Sequence, residues 1–189
     1  NAVGPPMAAG FPLATPEILA TVQSKVLNPM MVALQAEGIE YKGILYAGLM
    51  INCQGEASVV EFNVRFGDPE TQVVLPLLET DLVDLMLASA EGNLSAYVNK
   101  IQFKPNQVAV TVVMTSEGYP GDYTTGKPIS FPEHLNNAIQ IFHAGTKLMP
   151  NQQIVTAGGR VLNVTSVANT YDEARVSIYQ TVQQIQFDG

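Results

Sequence analysis

An α+β fold is predicted for this chain of 189 residues from three observations. Apolar residues recur at helical spacing in three stretches, β-prone runs separate those stretches, and turn chemistry joins two of the runs. Strands interleaved with helices and hairpins point to that class rather than to a regular parallel α/β sheet. The first dozen residues, rich in Gly, Pro and Ala, carry neither periodicity and are expected to be irregular. Thr15-Pro16-Glu17 is a helix start, with a capping hydroxyl, a proline at the first helical position and an acid in the first turn. Ile18, Leu19, Val22, Val26 and Met30 follow at helical spacing; Pro29 should kink or end the regular part, and Gly38 closes the element.

Residues 43–52 and 58–66 are apolar or β-prone with Gln54-Gly55 between them, which predicts a hairpin. A second helix is expected from Thr80 to about Ala90, with Leu82, Val83, Met86 and Ala90 on its buried side and Gly92 as a left-handed cap. The mixed, polar stretch after Gly92 suggests a subdomain boundary near residues 92–107. A strand follows over 108–114. Gly118 to Gly126, with its glycines and proline, must be loop. Further strands are expected at 139–143, around 153–155, and at 160–167. Thr170-Tyr-Asp-Glu173 matches the reciprocal Ser/Thr-x-x-Glu capping box, and Tyr171, Ala174, Ile178, Val182 and Ile185 make one apolar stripe behind it.

Composition excludes several functions. Nine Lys and Arg against seventeen Asp and Glu give a net charge of −8, so phosphate backbones would be repelled and nucleic acid is not an expected partner. The longest nearly uniform apolar stretch, 43–51, is far shorter than the roughly 20 residues of a membrane-spanning helix, and no charged-then-apolar signal segment opens the chain. A soluble, cytoplasmic protein with no membrane partner is expected. Cys53 is the only cysteine, so no internal disulfide forms and a reducing compartment fits.

The stretch that carries chemistry is Val59 to Thr71. In a regular strand Val60, Phe62, Val64 and Phe66 face the core, while Glu61, Asn63 and Arg65 line the opposite surface. Glu61 and Asn63 then stand ~6.6 Å apart along the strand, and their side chains can converge on one or two hard cations. A carboxylate and an amide oxygen, without His or Cys, favour Mg²⁺ or Mn²⁺ over zinc or copper. The same alternation is also what the solvated side of any half-exposed sheet shows. Two features favour the cation: Gly67-Asp-Pro-Glu70 follows Arg65 after a single residue, and residues 56–91 carry eight acids against Arg65 as the only base.

Glu61-Phe-Asn-Val-Arg-Phe-Gly-Asp-Pro-Glu-Thr-Gln72, preceded by Tyr41-Lys-Gly-Ile-Leu-Tyr-Ala-Gly-Leu-Met50, closely resembles the glycinamide ribonucleotide synthetase (phosphoribosylamine–glycine ligase) family of the ATP-grasp superfamily. The resemblance continues through Ser89-Ala-Glu-Gly92, Gly118-Tyr-Pro-Gly-Asp-Tyr123, Phe142-His-Ala-Gly-Thr-Lys147 and Gly158-Gly-Arg-Val161. It implies the C-terminal part of an ATP-grasp core, an antiparallel sheet with helices, over residues 1–100, and a small β-rich C-terminal domain over 101–189. The implied reaction is ATP-dependent ligation of glycine to 5-phosphoribosylamine through a glycyl phosphate, giving glycinamide ribonucleotide in purine synthesis. Glu61 and Asn63 match the family's metal ligands. Arg65, as a catalytic and substrate-binding residue, with Gly67 and Asp68 falls where the family handles the glycine carboxylate, and Lys147 and Arg160 could pair with the ribose 5-phosphate. His143 is assigned no acid–base role, because the attacking amine needs no protein nucleophile.

Family enzymes are more than twice as long, and their Gly-Gly-Met-Gly-Ala-Tyr motif does not precede Thr15 here. The chain is therefore expected to be the C-terminal half, inactive alone, with the N-terminal half of the same enzyme as a partner. The alternative is a non-catalytic binding or interaction module of ATP-grasp descent.

Overall fold

The computed structural model describes residues 7–9, 15–97 and 99–188. It divides into two compact units: one holds residues 7–9, 68–77 and 104–188, the other residues 15–67, 78–97 and 99–103. Among the described residues no helix is long and apolar enough to cross a membrane.

The first unit is built on a four-stranded antiparallel sheet. Its strands are β1 (Met7–Ala9), β4 (Val108–Thr115), β8 (Arg160–Ala168) and β5 (Ile139–His143), in that spatial order. The lead-in segment thus contains a strand where none was expected, because Met7–Ala9 pairs with Ala109–Thr111 through its backbone and needs no side-chain pattern. The rest of that dozen lies outside the described residues. Helix α5 (Tyr171–Val182) packs on β4 and β8, joining Ala174 and Ile178 to Val110, Val112, Met114, Leu162 and Val164. Its apolar stripe is the predicted one. Thr170 caps it by accepting from Glu173 N at 3.2 Å, but the Glu173 carboxylate accepts from Asn169 N rather than Thr170 N.

A short helix, α3 (Thr71–Val74), and the 3-10 turn Leu75–Leu77 pack near Ala109 and Val167, with Val73 and Leu77 buried. A two-stranded ribbon, β6 (Thr146–Leu148) with β7 (Ile154–Thr156), completes this unit. β6 falls between the strands expected at 139–143 and around 153–155, where none was predicted.

The second unit opens with α1 (Pro16–Val22), capped by the Thr15 hydroxyl as predicted. The chain then widens into a π-turn over Gln23–Leu27 and resumes as α2 (Asn28–Ala36). Pro29 explains the interruption: it has no N–H to donate to the residue one α-turn earlier, and the wider turn before it absorbs the mismatch. Only Val26 of the expected stripe is buried.

The hairpin is β2 (Tyr46–Ile51) with β3 (Ala57–Asn63); β2 is shorter at both ends than the sequence suggests, while β3 begins one residue earlier and ends three residues sooner. Gly55 takes φ +78° in its turn, a conformation that favours glycine. Helix α4 (Leu82–Glu91) is capped by Asp81 and closed by Gly92 in the left-handed conformation. Its packed face differs from the expected one: Val83 and Met86 are 71% and 54% exposed, while Leu82, Leu85 and Ala88 are turned inward. The helix is apolar on more than one side, so tertiary contacts, not periodicity, selected the face.

Candidate metal and substrate site

β3 carries the two candidate metal ligands. Its register against β2 slips between Gly48 and Leu49: Leu49 pairs with Val59, Gly48 with Glu61, and Val60 has no partner. That bulge corrects the simple alternation. Val60, expected to face the core, is the extra residue and is 66% exposed; Val64, beyond the strand end, is 75% exposed. Phe62 and Phe66 are half-buried. Bulges of this kind re-aim the side chains that follow them, and those side chains here are Glu61 and Asn63.

The two meet. Asn63 Nδ2 donates to Glu61 Oε1 at 2.8 Å. Gly48, opposite Glu61, makes room: a Cβ there would lie 3.2 Å from Glu61 Cγ. Glu61 is exposed and Asn63 half-buried, so neither oxygen points into packed hydrocarbon. The hydrogen bond uses Glu61 Oε1 and Asn63 Nδ2, so Glu61 Oε2 and Asn63 Oδ1 are the remaining hard oxygen donors of the pair. Among the described residues no three His, Cys, Asp or Glu converge as a metal cluster. Two oxygen donors on a solvated strand suit an ion that keeps waters and takes phosphate oxygens as its other ligands, which is how Mg²⁺ is commonly held. The residues fit such a group.

Arg65 lies past the end of β3 and is therefore not fixed by strand alternation. Its Nη1 donates to Phe66 O at 2.9 Å, and the exposed guanidinium keeps further donors for an anion. Gly67 is buried at the end of this run.

In the other unit, Asp68 and Arg160 hold each other. Arg160 Nη2 is 3.2 Å from Asp68 Oδ2, and Arg160 Nη1 donates to Asp68 O at 3.0 Å. Gln72 Nε2 donates to Asp68 Oδ1 at 3.0 Å, so both carboxylate oxygens are engaged. The ion-pair side chains are 41% and 39% exposed. At that exposure such a pair stabilises by less than about 1 kcal/mol, and what it supplies is geometry. Sequence reading missed Gln72; the signal was its place one helical turn after Asp68.

Lys147 is exposed on β6 and forms no ion pair among the described residues. His143 Nδ1 is 3.0 Å from Thr146 Oγ1 and its ring packs against Phe131, a positioning role. The glycines around Arg160 serve packing. A Cβ on Gly145 would lie 2.6 Å from Arg160 O, and one on Gly159 would lie 2.2 Å from Tyr119 Cδ2. Gly145 N already donates to Arg160 O at 2.8 Å, so that amide is not open to an anion.

Comparison with known proteins bears on both units. Residues 3–71 match the family model described as phosphoribosylglycinamide synthetase, ATP-grasp (A) domain, and residues 109–189 match the C domain of the same synthetase. A phosphoribosylamine–glycine ligase of Nostoc sp. is 48% identical over 182 residues, which is 96% of this chain and 42% of that protein. The crystal structure of the phosphoribosylamine–glycine ligase of Thermotoga maritima superposes with a TM-score of 0.80 at 31% identity, covering 97% of this chain and 44% of that one. The biotin carboxylase domain of Hydrogenobacter thermophilus 2-oxoglutarate carboxylase, crystallised with MgADP, ADP and bicarbonate, shares the fold at a TM-score of 0.64 and 18% identity, over 97% of this chain and 39% of its own. The chain spans about two fifths of the length of the ligases it matches. It belongs to the phosphoribosylglycinamide synthetase family and carries sequence of that family's ATP-grasp and C domains.

Proposed function

We propose that this chain forms the metal- and glycine-handling part of an ATP-dependent phosphoribosylamine–glycine ligase acting in purine biosynthesis, with residues 1–100 in the ATP-grasp portion and 101–189 in the C-terminal domain. The observation that supports it most is the pairing of Glu61 with Asn63 on one face of β3 in a chain of this family.

Glu61 Oε2 and Asn63 Oδ1 would hold Mg²⁺ or Mn²⁺. A bound divalent ion supplies positive charge to the ATP phosphates and lowers the cost of charge developing on the transferred phosphoryl group. Arg65 orients the glycine carboxylate with its planar fork, so that one carboxylate oxygen attacks the γ-phosphorus as ADP leaves. The phosphoribosylamine nitrogen then attacks the acyl carbon and phosphate departs, a step that needs no protein nucleophile. Gly67 brings backbone close to the glycine without a side chain in the way. Lys147 offers its ammonium to the ribose 5-phosphate.

The remaining part of such a synthetase is the partner we infer for the second unit, where Met50, Val60 and Val64 leave apolar surface 65–75% exposed. Isothermal titration with Mg-ATP tests this reading. This chain alone should bind the nucleotide weakly or not at all, whereas the full-length protein containing it should bind and should form glycinamide ribonucleotide from the three substrates. A full-length protein that binds Mg-ATP yet forms no product would instead favour a non-catalytic module.

A further inference from the structure

Three contacts converge on Asp68 from two elements, and neither donor residue is placed there for stability. Gln72 sits beside the buried Val73 on α3, and its Oε1 is enclosed without a hydrogen-bond partner. An acceptor buried in that way destabilises, so an apolar side chain of the same shape would fold as well or better. What the amide provides is its other end, which holds Asp68 Oδ1 at 3.0 Å. Arg160 opens β8, next to the fully buried Val161 and Leu162, so its backbone is fixed while its fork grips Asp68 twice. The pair is too exposed to matter much for folding.

Resting on the ligase reading above, we propose that Arg160 and Gln72 are positioning residues for the reaction. They lock the backbone and carboxylate of Asp68, the residue that the family resemblance places at the glycine carboxylate, and Arg160 is not a ligand of the ribose 5-phosphate. A guanidinium that is already bidentate to one residue has little geometry left for a second anion.

The experiment uses the full-length synthetase that carries this sequence, with kcat, the KM of each substrate and Tm measured for Arg160→Lys, Gln72→Met and, as a control, Glu61→Gln. Gln72→Met should keep or raise Tm while kcat falls roughly 10-fold or more, since small misplacement of a reacting group is costly to rate. Arg160→Lys keeps the charge but loses the fork, and should lower kcat by roughly 10- to 100-fold with the KM for phosphoribosylamine nearly unchanged. A large rise in that KM with kcat retained would make Arg160 a phosphate ligand and overturn the proposal. So would wild-type kinetics in Gln72→Met, or a loss of Tm and kcat together in both variants, which is the mark of a purely structural role. Wild-type turnover in Glu61→Gln would defeat the ligase reading itself, whatever the other two variants show.

Discussion

Glu61→Gln separates catalysis from folding at the candidate metal site. The substitution keeps the side chain's length and one oxygen, so Asn63 Nδ2 retains an acceptor at the position it now finds at 2.8 Å. Glu61 is exposed, and a surface exchange of this kind changes stability by about 0.5 kcal/mol or less. In a protein stable by roughly 5 kcal/mol or more, that leaves the folded population essentially intact. What is lost is the negative charge that would face the divalent ion. Removing one preorganised electrostatic partner of a transition state costs about 2.7–4 kcal/mol, or 10²–10³ in turnover. The assay is ADP release by the full-length protein, dependent on glycine and phosphoribosylamine and titrated with Mg²⁺, beside a thermal melt of the same sample. Turnover should collapse while the melt stays put. A variant whose kcat and Mg²⁺ half-saturation remain within about twofold of wild type would refute the role of Glu61 as a metal ligand.

Three further outcomes follow from packing and burial. Gly118→Ala places a Cβ 2.1 Å from Asp122 O at a φ of +95°, a backbone collision plus left-handed strain that should cost about 2–5 kcal/mol in urea denaturation; an unchanged midpoint would contradict that geometry. Asn163 is 1% exposed with Oδ1 unpartnered, so Asn163→Val should be neutral or stabilising by up to about 1–2 kcal/mol, and a clear loss in calorimetry would reveal a partner for that oxygen. Burial raises the Tyr171 hydroxyl above its ordinary pKa of 10.0. With the folded value above the unfolded one, this contribution to stability is whole below pH 10 and declines as pH climbs through the folded value. Tyr171→Phe should flatten the alkaline limb of stability against pH, and an identical limb in both proteins would dismiss the assignment.

Elements fixed by neighbouring residues were legible in the chain. The Thr15 and Thr170 caps, the left-handed Gly92, the turn at Gly55 and the buried stripe of α5 depend on groups within about one helical turn of each other, so composition at fixed offsets suffices. The same holds for Glu61 and Asn63, whose meeting needs only two positions of one strand. β6 was not legible, because its pairing with β7 is a backbone matter and three residues are too few to show an apolar alternation. The inward side of α4 escaped for a different reason: Leu82, Val83, Leu85 and Met86 offer two apolar faces, and only the rest of the fold distinguishes them.

By itself the sequence determined the α+β class, the caps, the family motifs and the acid and amide that share one strand. Tertiary structure decided that Val60 is bulged out of its strand, that Pro29 is accommodated by a π-turn, and that Asp68 is gripped by Arg160, a residue 92 positions away. The physical reason is range: local hydrogen bonds and caps are written in adjacent residues, whereas a register slip or an ion pair across the chain is set by which segments the core brings together, and no short window of sequence contains that information.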